Sequence, residues 1–439
     1  MSEPATTGGG GVRERATRSF RALLEELARH VTADLSVRMW EGTEIPMGGV
    51  DPARGAAVTL VVRDPAAIAS IVRSPALTTL FEMAARGLIE AEGMSPLEAS
   101  RVLDHIEVVD FVRSIGAAGL VRRLWPFLLV SRRPTGALAF DGTGEAEEVR
   151  HHYDVSNAFY RLFLDERMVY SCAWFEREDA SLDEAQRAKL DMCCRKLRLR
   201  PGQRLLDIGC GWGALALHAA EHYGVEVVGI TLAERQLELA RERVAAAGLE
   251  HRISIELSDW RDVEGSEHFD AVVQVGMYEH VHAGDQTAFL ATVHRLLKAD
   301  GRYLHHAITT RPDRRSGRPG PYMKVVNRYI FPGGTLDHIG KTLEAMERAR
   351  FEVHDVEGWR RHYARTCAEW SERLWARREE AEAEVGADVT RTWLLYLAMV
   401  TIGFERSING IFQTVATKRR KGEPAVPRSR ADLYGGSRA

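Results

Sequence analysis

Nine consecutive residues, Leu205-Leu206-Asp207-Ile208-Gly209-Cys210-Gly211-Trp212-Gly213, have the pattern of a buried strand ending in a turn that touches a ligand. Glycines at two-residue spacing remove the Cβ atoms that would hold the backbone away from a bound molecule. The order is G-x-G-x-G rather than G-x-G-x-x-G, and no Walker lysine follows, so neither a dinucleotide fingerprint nor a P-loop is indicated. Thr231, Leu232 and Gln236 follow the second strand, where many nucleotide folds place an acid for ribose hydroxyls; here the side chains offer neutral hydrogen bonds. Asp259 and Trp260 follow the third strand and suit a purine, a carboxylate for its amino group and an indole for its ring face.

Groups able to move a proton come later in the chain. Glu279 falls just after the fourth strand and His306 within the fifth, so both reach the same sheet edge. His305 and His306 are adjacent, and successive strand residues face opposite ways, so one of the two enters a site. His280 and His282 beside Glu279 bring a metal to mind, but E-H-V-H lacks a third convincing ligand and no metal is expected. Taken alone, Cys172 reads as a small buried hydrophobe, Glu279 as a cap and Tyr363 as a half-buried tyrosine. His151, His152 and Tyr153 line a cofactor mouth or merely pack the entry segment.

These residues need a scaffold that brings strand ends together. From Arg204 onward strands and helices alternate: Val225–Ile230, Ile253–Leu257, Ala271–Val275 and Tyr303–Ile308 read as strands, with helices between. Such alternation means an α/β fold, a doubly wound and mostly parallel sheet that binds ligands beyond the carboxyl ends of its strands. Ser181 to Glu184 is a capping box opening a helix that runs to about Leu199. After a loop from Arg311 to Tyr322 we expect a helix over about Asp337–Arg350, a late strand over Phe351–Trp359, and helices over Trp370–Val385 and Thr390–Phe412. That is more helix than the sheet needs, enough to form a lid over a deep apolar pocket.

Against this background several stretches are specific. HHYDVSNAFY, MVYSCAWF, KLDMCCRKLRLRPGQRLLDIGCGWG, VVGITLAERQ, VGMYEHV, YIFPGG and HYARTCAEW resemble the cyclopropane-fatty-acyl-phospholipid synthase family, which includes the mycolic acid cyclopropane synthases. The likeness runs from about His151 to Lys418, and the glycine loop resembles the first motif of class I S-adenosylmethionine methyltransferases. The resemblance implies methyl transfer from S-adenosylmethionine to a cis double bond of a phospholipid acyl chain, with bound bicarbonate then removing a proton as the ring closes. It places bicarbonate against Cys172, Glu279, His306, Ile308 through its backbone, and Tyr363. It places the cofactor against Tyr170, Ser171, Gly209, Gly211, Thr231, Leu232, Gln236 and Trp260, and Asp207 and Gly213 of the glycine loop and Asp259 beside Trp260 are expected to join them. The family's histidine has isoleucine two positions on, which selects His306 with Ile308.

Departures from the family pattern bear on the product. Tyr278 stands where phenylalanine is usual, His282 replaces a glycine, and Ala307 and Thr309 change the motif around His306. Tyr278 brings a hydroxyl near the site, so an exocyclic methylene or a methyl branch is an alternative to the ring. A methyltransferase of a small amine or natural product is a second reading, weakened by the missing DPPY-type signature. A binding protein without catalysis is a third, disfavoured because it has no use for an anion site.

The totals fit this picture. A chain of 439 residues exceeds one ordinary core, and 45% hydrophobic with 28% charged residues is globular composition. A net charge of −3 disfavours nucleic acid, and five cysteines show neither metal spacing nor a disulfide framework. Residues 1–18 read as a flexible tail, 19–130 as an α+β docking or dimerisation domain with a homodimer implied by the resemblance, 131–150 as a linker, and 151–418 as the catalytic domain. In the first domain Phe20, Leu24, Leu27 and Val31 mark one helix face, Ala57–Val62 a strand, and Leu80, Met83, Ala84 and Leu88 a second buried stripe. The segment from Lys418 carries seven basic and two acidic residues, so peripheral contact with an anionic membrane is expected at about 1 kcal/mol per basic residue. With no apolar leader or span in the sequence, a cytoplasmic location at the inner membrane face is the expectation.

Overall fold

The computed structural model describes residues 9–103, 117–131, 155–311, 320–422 and 426–434. His151, His152, Tyr153 and nearly all of the expected linker lie outside them. The contacts divide the chain into two compact units, 1–139 with 319–329 and 375–402, and 140–318 with 330–374 and 403–439.

The first unit carries a four-stranded sheet of β1 (Leu35–Arg38), β2 (Glu44–Pro46), β3 (Val58–Val62) and β4 (Ile89–Ala91), in the order β2-β1-β3-β4. Helix Gly9–His30 buries Phe20, Leu23 and Leu24 in one core with Val37, Val58 and Phe127. The stripe expected at Leu80 to Leu88 needs correction. Helix Leu77–Ala85 buries Met83 but leaves Leu80 43% exposed, and it stops before Leu88. Its buried charged residue is Glu82, held by Arg86 and by the Tyr329 hydroxyl, each at 2.9 Å.

The second unit is built on β5 (Arg204–Ile208), β6 (Glu226–Thr231), β7 (Ile253–Leu257), β8 (Phe269–Val275), β9 (Leu297–Thr310), β10 (Phe351–Gly358) and β11 (Asn409–Lys418). The order is β10-β11-β9-β8-β5-β6-β7; β7 to β9 run parallel through the centre, while β11 pairs antiparallel with β9 and β10. This is the doubly wound, mostly parallel sheet that the alternation of strands and helices implies. Apolar side chains fill both faces, Leu205, Val273 and Leu304 on one and Leu206, Val272 and Tyr303 on the other, as period-two alternation requires. Helix Leu182–Leu197 opens with the reciprocal Ser181 and Glu184 bonds of a capping box and packs against β9.

Three elements differ from the sequence reading. The helix expected to reach Phe412 ends at Glu405, and β11 follows. The stop is a Schellman-type turn, Ile408 N to Gly403 O at 2.8 Å, with Ser407 in the left-handed position that glycine usually marks. A serine there gives no sequence signal, so an apolar strand reads as more helix. Residues Pro321–Tyr329 form a helix that starts at the last two residues of the expected loop and runs on where no element was expected; they and 375–402 group with the first unit. The described part of the basic C-terminal segment is tied down: Leu433 is buried, Arg198 pairs with Asp432, and Arg430 with Asp355. No described helix is long and apolar enough to cross a membrane.

Candidate active site

Beyond the carboxyl end of β5 the chain turns through Gly209 (φ +82°) and Gly211 (φ +55°) into helix Ala214–Tyr223. A Cβ on Gly209 would sit 2.8 Å from Met277 Cβ, while one on Gly211 would meet nothing within 4 Å. The loop therefore packs against its neighbour on one side and leaves room on the other. That room is a cavity lined by Tyr170, Ser171, Asp207, Gly209, Gly211, Thr231, Leu232, Gln236 and Trp260, all expected cofactor contacts. Gly213 and Asp259 are not on its wall. Gly213 packs against Ala240, and the Asp259 carboxylate is engaged by the Arg261 guanidinium at 3.0 Å.

Each wall has a local cause. Asp165 accepts from Arg167 N (3.0 Å) and Val169 N (2.8 Å), which folds the segment carrying Tyr170 and Ser171. Gln186 then donates to Val169 O and Ser171 O, and Lys189 Nζ donates to Ser171 Oγ at 2.8 Å. Thr231 Oγ1 bonds Gln236 Oε1 at 2.9 Å and receives Ala233 N, fixing the turn after β6. Trp212 is held by Asn157, and Trp260 packs edge-on against Phe289. Burial pushes the Asp207 carboxyl up to about 7, against the opposing pull of Lys189.

The groups expected to act as base and anion ligands are not on that wall; His306 and Ile308 lie on β9, and Glu279 is bonded to it. Glu279 lies on the turn after β8, and its Oε1 accepts the Ile308 N–H at 2.7 Å. Ile308 thus spends its backbone donor on Glu279 instead of offering it to an anion. Glu279 Oε2 is buried without a partner, and burial raises this carboxyl to about 7 despite the Ile308 bond. His306 Nδ1 accepts from Gln413 Nε2 at 3.1 Å, and its Nε2 is buried without a partner. Burial, with Lys189 and Lys196 nearby, holds the imidazole neutral.

Trp359 links two of these groups: its carbonyl lies 3.9 Å from Cys172 Sγ, and its ring meets His306 edge-on at 5.3 Å. A third, Glu279, is bonded to the strand residue two along from His306, while the Tyr363 ring packs on Phe404 and Trp370. Burial raises Cys172 well above the usual thiol range, so it is a thiol rather than a thiolate nucleophile. The pairing of faces holds: His305 turns away to Gln274 and Tyr303, each at 2.9 Å. Tyr278 packs on that other face, 4.6 Å from His305 and 5.6 Å from Phe289. Its hydroxyl, expected near the site, is buried on that side without a partner.

Lys189 and Gln413 escaped the sequence reading. Lys189 shares a helix face with Leu182, Gln186 and Cys193, and a charge on an apolar stripe was a legible signal. Gln413 had none, because its strand was not expected: the first residues, Asn409–Phe412, were read as the end of a helix and the rest as no element.

The sequence model of a family described as mycolic acid cyclopropane synthetase matches residues 141–414. A probable fatty acid methyltransferase of Pseudomonas putida is 36% identical over 403 residues, covering 91% of this chain and 96% of that protein. Cyclopropane mycolic acid synthase 1 of Mycobacterium tuberculosis is 39% identical over 268 residues, 58% of this chain and 93% of that one. Among solved structures, mycolic acid cyclopropane synthase CmaA1 complexed with SAH and CTAB superposes with a TM-score of 0.60 at 36% identity, covering 63% of this chain and 99% of that one.

Proposed function

The chain belongs to the mycolic acid cyclopropane synthetase family of S-adenosylmethionine-dependent methyltransferases, and from that premise we propose that it acts on a cis double bond of an unsaturated acyl chain in phospholipid, giving a cyclopropane with bicarbonate as base. The observation that carries this reading is two unpartnered buried atoms, Glu279 Oε2 and His306 Nε2, on groups tied to one strand at the end of which the cavity lies. A buried polar group without a partner is costly, and a small oxyanion supplies what both lack.

The residues suit the chemistry. S-adenosylmethionine supplies an electrophilic methyl, and bicarbonate supplies a proton acceptor. An alkene is a weak nucleophile, so the protein's part is alignment and exclusion of water. The methyl–sulfur bond breaks as the alkene pair forms the new C–C bond; loss of a proton from the added methyl then closes the ring. Near neutral pH a carboxyl like Glu279 exists partly protonated and donates to an oxyanion, and neutral His306 donates through Nε2. The Cys172 thiol and the Tyr363 hydroxyl complete the expected set of ligands.

A methyl-branched or methylene product is the second reading, favoured by the fatty acid methyltransferase name of the Pseudomonas relative. Peripheral contact with an anionic membrane follows from the substrate, and a homodimer from the family. Expression in a host rich in cis-monounsaturated phospholipid, followed by mass spectrometry of its fatty acids, tests the proposal. A saturated species heavier by one CH₂ supports it, an olefinic one supports the second reading, and no lipid change overturns both.

A further inference from the structure

Lys189 places an amine in the protein interior, 2% exposed, on the wall of the cavity. Its ammonium has three N–H groups. Among the described residues Ser171 Oγ is its one hydrogen-bond acceptor. Two carboxyls lie nearby: Asp165 is already spent on the backbone N–H groups of Arg167 and Val169, and Asp207, pushed up to about 7 by burial, makes no hydrogen bond to the ammonium among the described residues. A buried ammonium with unused donors is destabilising unless something completes it.

The two ends of the cavity differ in a way that identifies the missing partner. On the β6–β7 side the walls are Thr231, Leu232, Gln236 and Trp260, neutral and aromatic, fitted to a base and its ribose. Across β5, under helix Leu182–Leu197 and toward β9, the wall holds one buried amine, Lys189, and one buried acid, Asp207. The cofactor is similarly divided, a nucleoside at one end and an α-amino acid zwitterion at the other. We propose that Lys189 binds the α-carboxylate of S-adenosylmethionine, together with the Ser171 hydroxyl it orients, and makes the site selective for cofactors that carry this carboxylate. Burial holds the lysine below its ordinary range, so an incoming anion also secures its proton.

This rests on the cofactor reading above, and calorimetry with two ligands separates them. S-adenosylhomocysteine and its decarboxylated analogue share the nucleoside, thioether and amine and differ only in the carboxylate. Wild-type protein should prefer the former, and Lys189→Met should erase that preference, losing ~10- to 100-fold in affinity for S-adenosylhomocysteine and about twofold or less for the analogue. Lys189→Gln, which keeps a donor toward Ser171, gives the same comparison should the methionine variant fail to fold. Equal losses for both ligands, or none, would overturn the role of Lys189 while leaving the cofactor reading intact. Wild-type protein that binds neither ligand overturns the cofactor reading and this proposal with it.

Discussion

Gln413 Nε2 lies 3.1 Å from His306 Nδ1, across the antiparallel pairing of β11 with β9. An amide N–H only donates, so Nδ1 accepts and the ring proton sits on Nε2. A strand that the sequence reading missed thus sets which imidazole nitrogen faces the unpartnered side. Replacing Gln413 with leucine should free the tautomer and lower kcat by ~5- to 10-fold, the worth of about 1 kcal/mol. Affinity for S-adenosylhomocysteine, measured by calorimetry, should stay within about twofold.

Glu279→Gln tests the other unpartnered atom. The amide can still accept the Ile308 N–H but no longer trades a proton at neutral pH. We expect turnover to fall by ~100-fold or more with cofactor affinity nearly unchanged. Equal losses in both would place Glu279 in the cofactor site.

The same carboxyl should appear in the pH dependence of stability. Its folded value of about 7 lies above the ordinary 4.5, so between those limits the folded protein holds a proton the unfolded chain has released. The stabilisation is complete below about pH 4.5 and is lost as pH rises through about 7. Buried His280, His305 and His306 are depressed and act in the opposite direction below about 6.5, so the readable quantity is a difference. The Tm of Glu279→Gln minus that of wild type, without ligand, should rise between pH 5 and pH 8. A flat difference would mean that Glu279 titrates normally.

Gly209→Ala should damage the cofactor loop. The left-handed backbone there costs a Cβ-bearing residue about 1–2 kcal/mol, and the 2.8 Å approach to Met277 adds overpacking. Thermal denaturation should show a lower Tm, and the Tm rise on adding S-adenosylhomocysteine should shrink.

What the sequence revealed followed from local rules. The glycine loop and the Ser181 cap depend on spacing within a few residues, and alternation required His305 and His306 to face opposite ways, while the choice of His306 came from the family's motif. Most of the cavity wall was legible for the same reason, since strand ends and βα turns are local features. What escaped depends on partners distant in the chain. Asp259 looked available for a base until Arg261 folded back onto it, and Ile308 N–H until Glu279 reached it. Tyr278 looked close to the site because its neighbour Glu279 is part of it, yet the turn sends its ring to the opposite face. β11 was hidden by a left-handed serine.

The central claim is that the proton lost as the ring closes comes from the methyl just delivered. Purified protein given S-adenosylmethionine with a trideuterated methyl, and vesicles of a cis-monounsaturated phospholipid, tests this by mass spectrometry of the released fatty acid. The account predicts a saturated product that gains one carbon and keeps two of the three deuterons, in a ring CD₂. A product that keeps all three would contradict it, because the proton must then have left from the acyl chain.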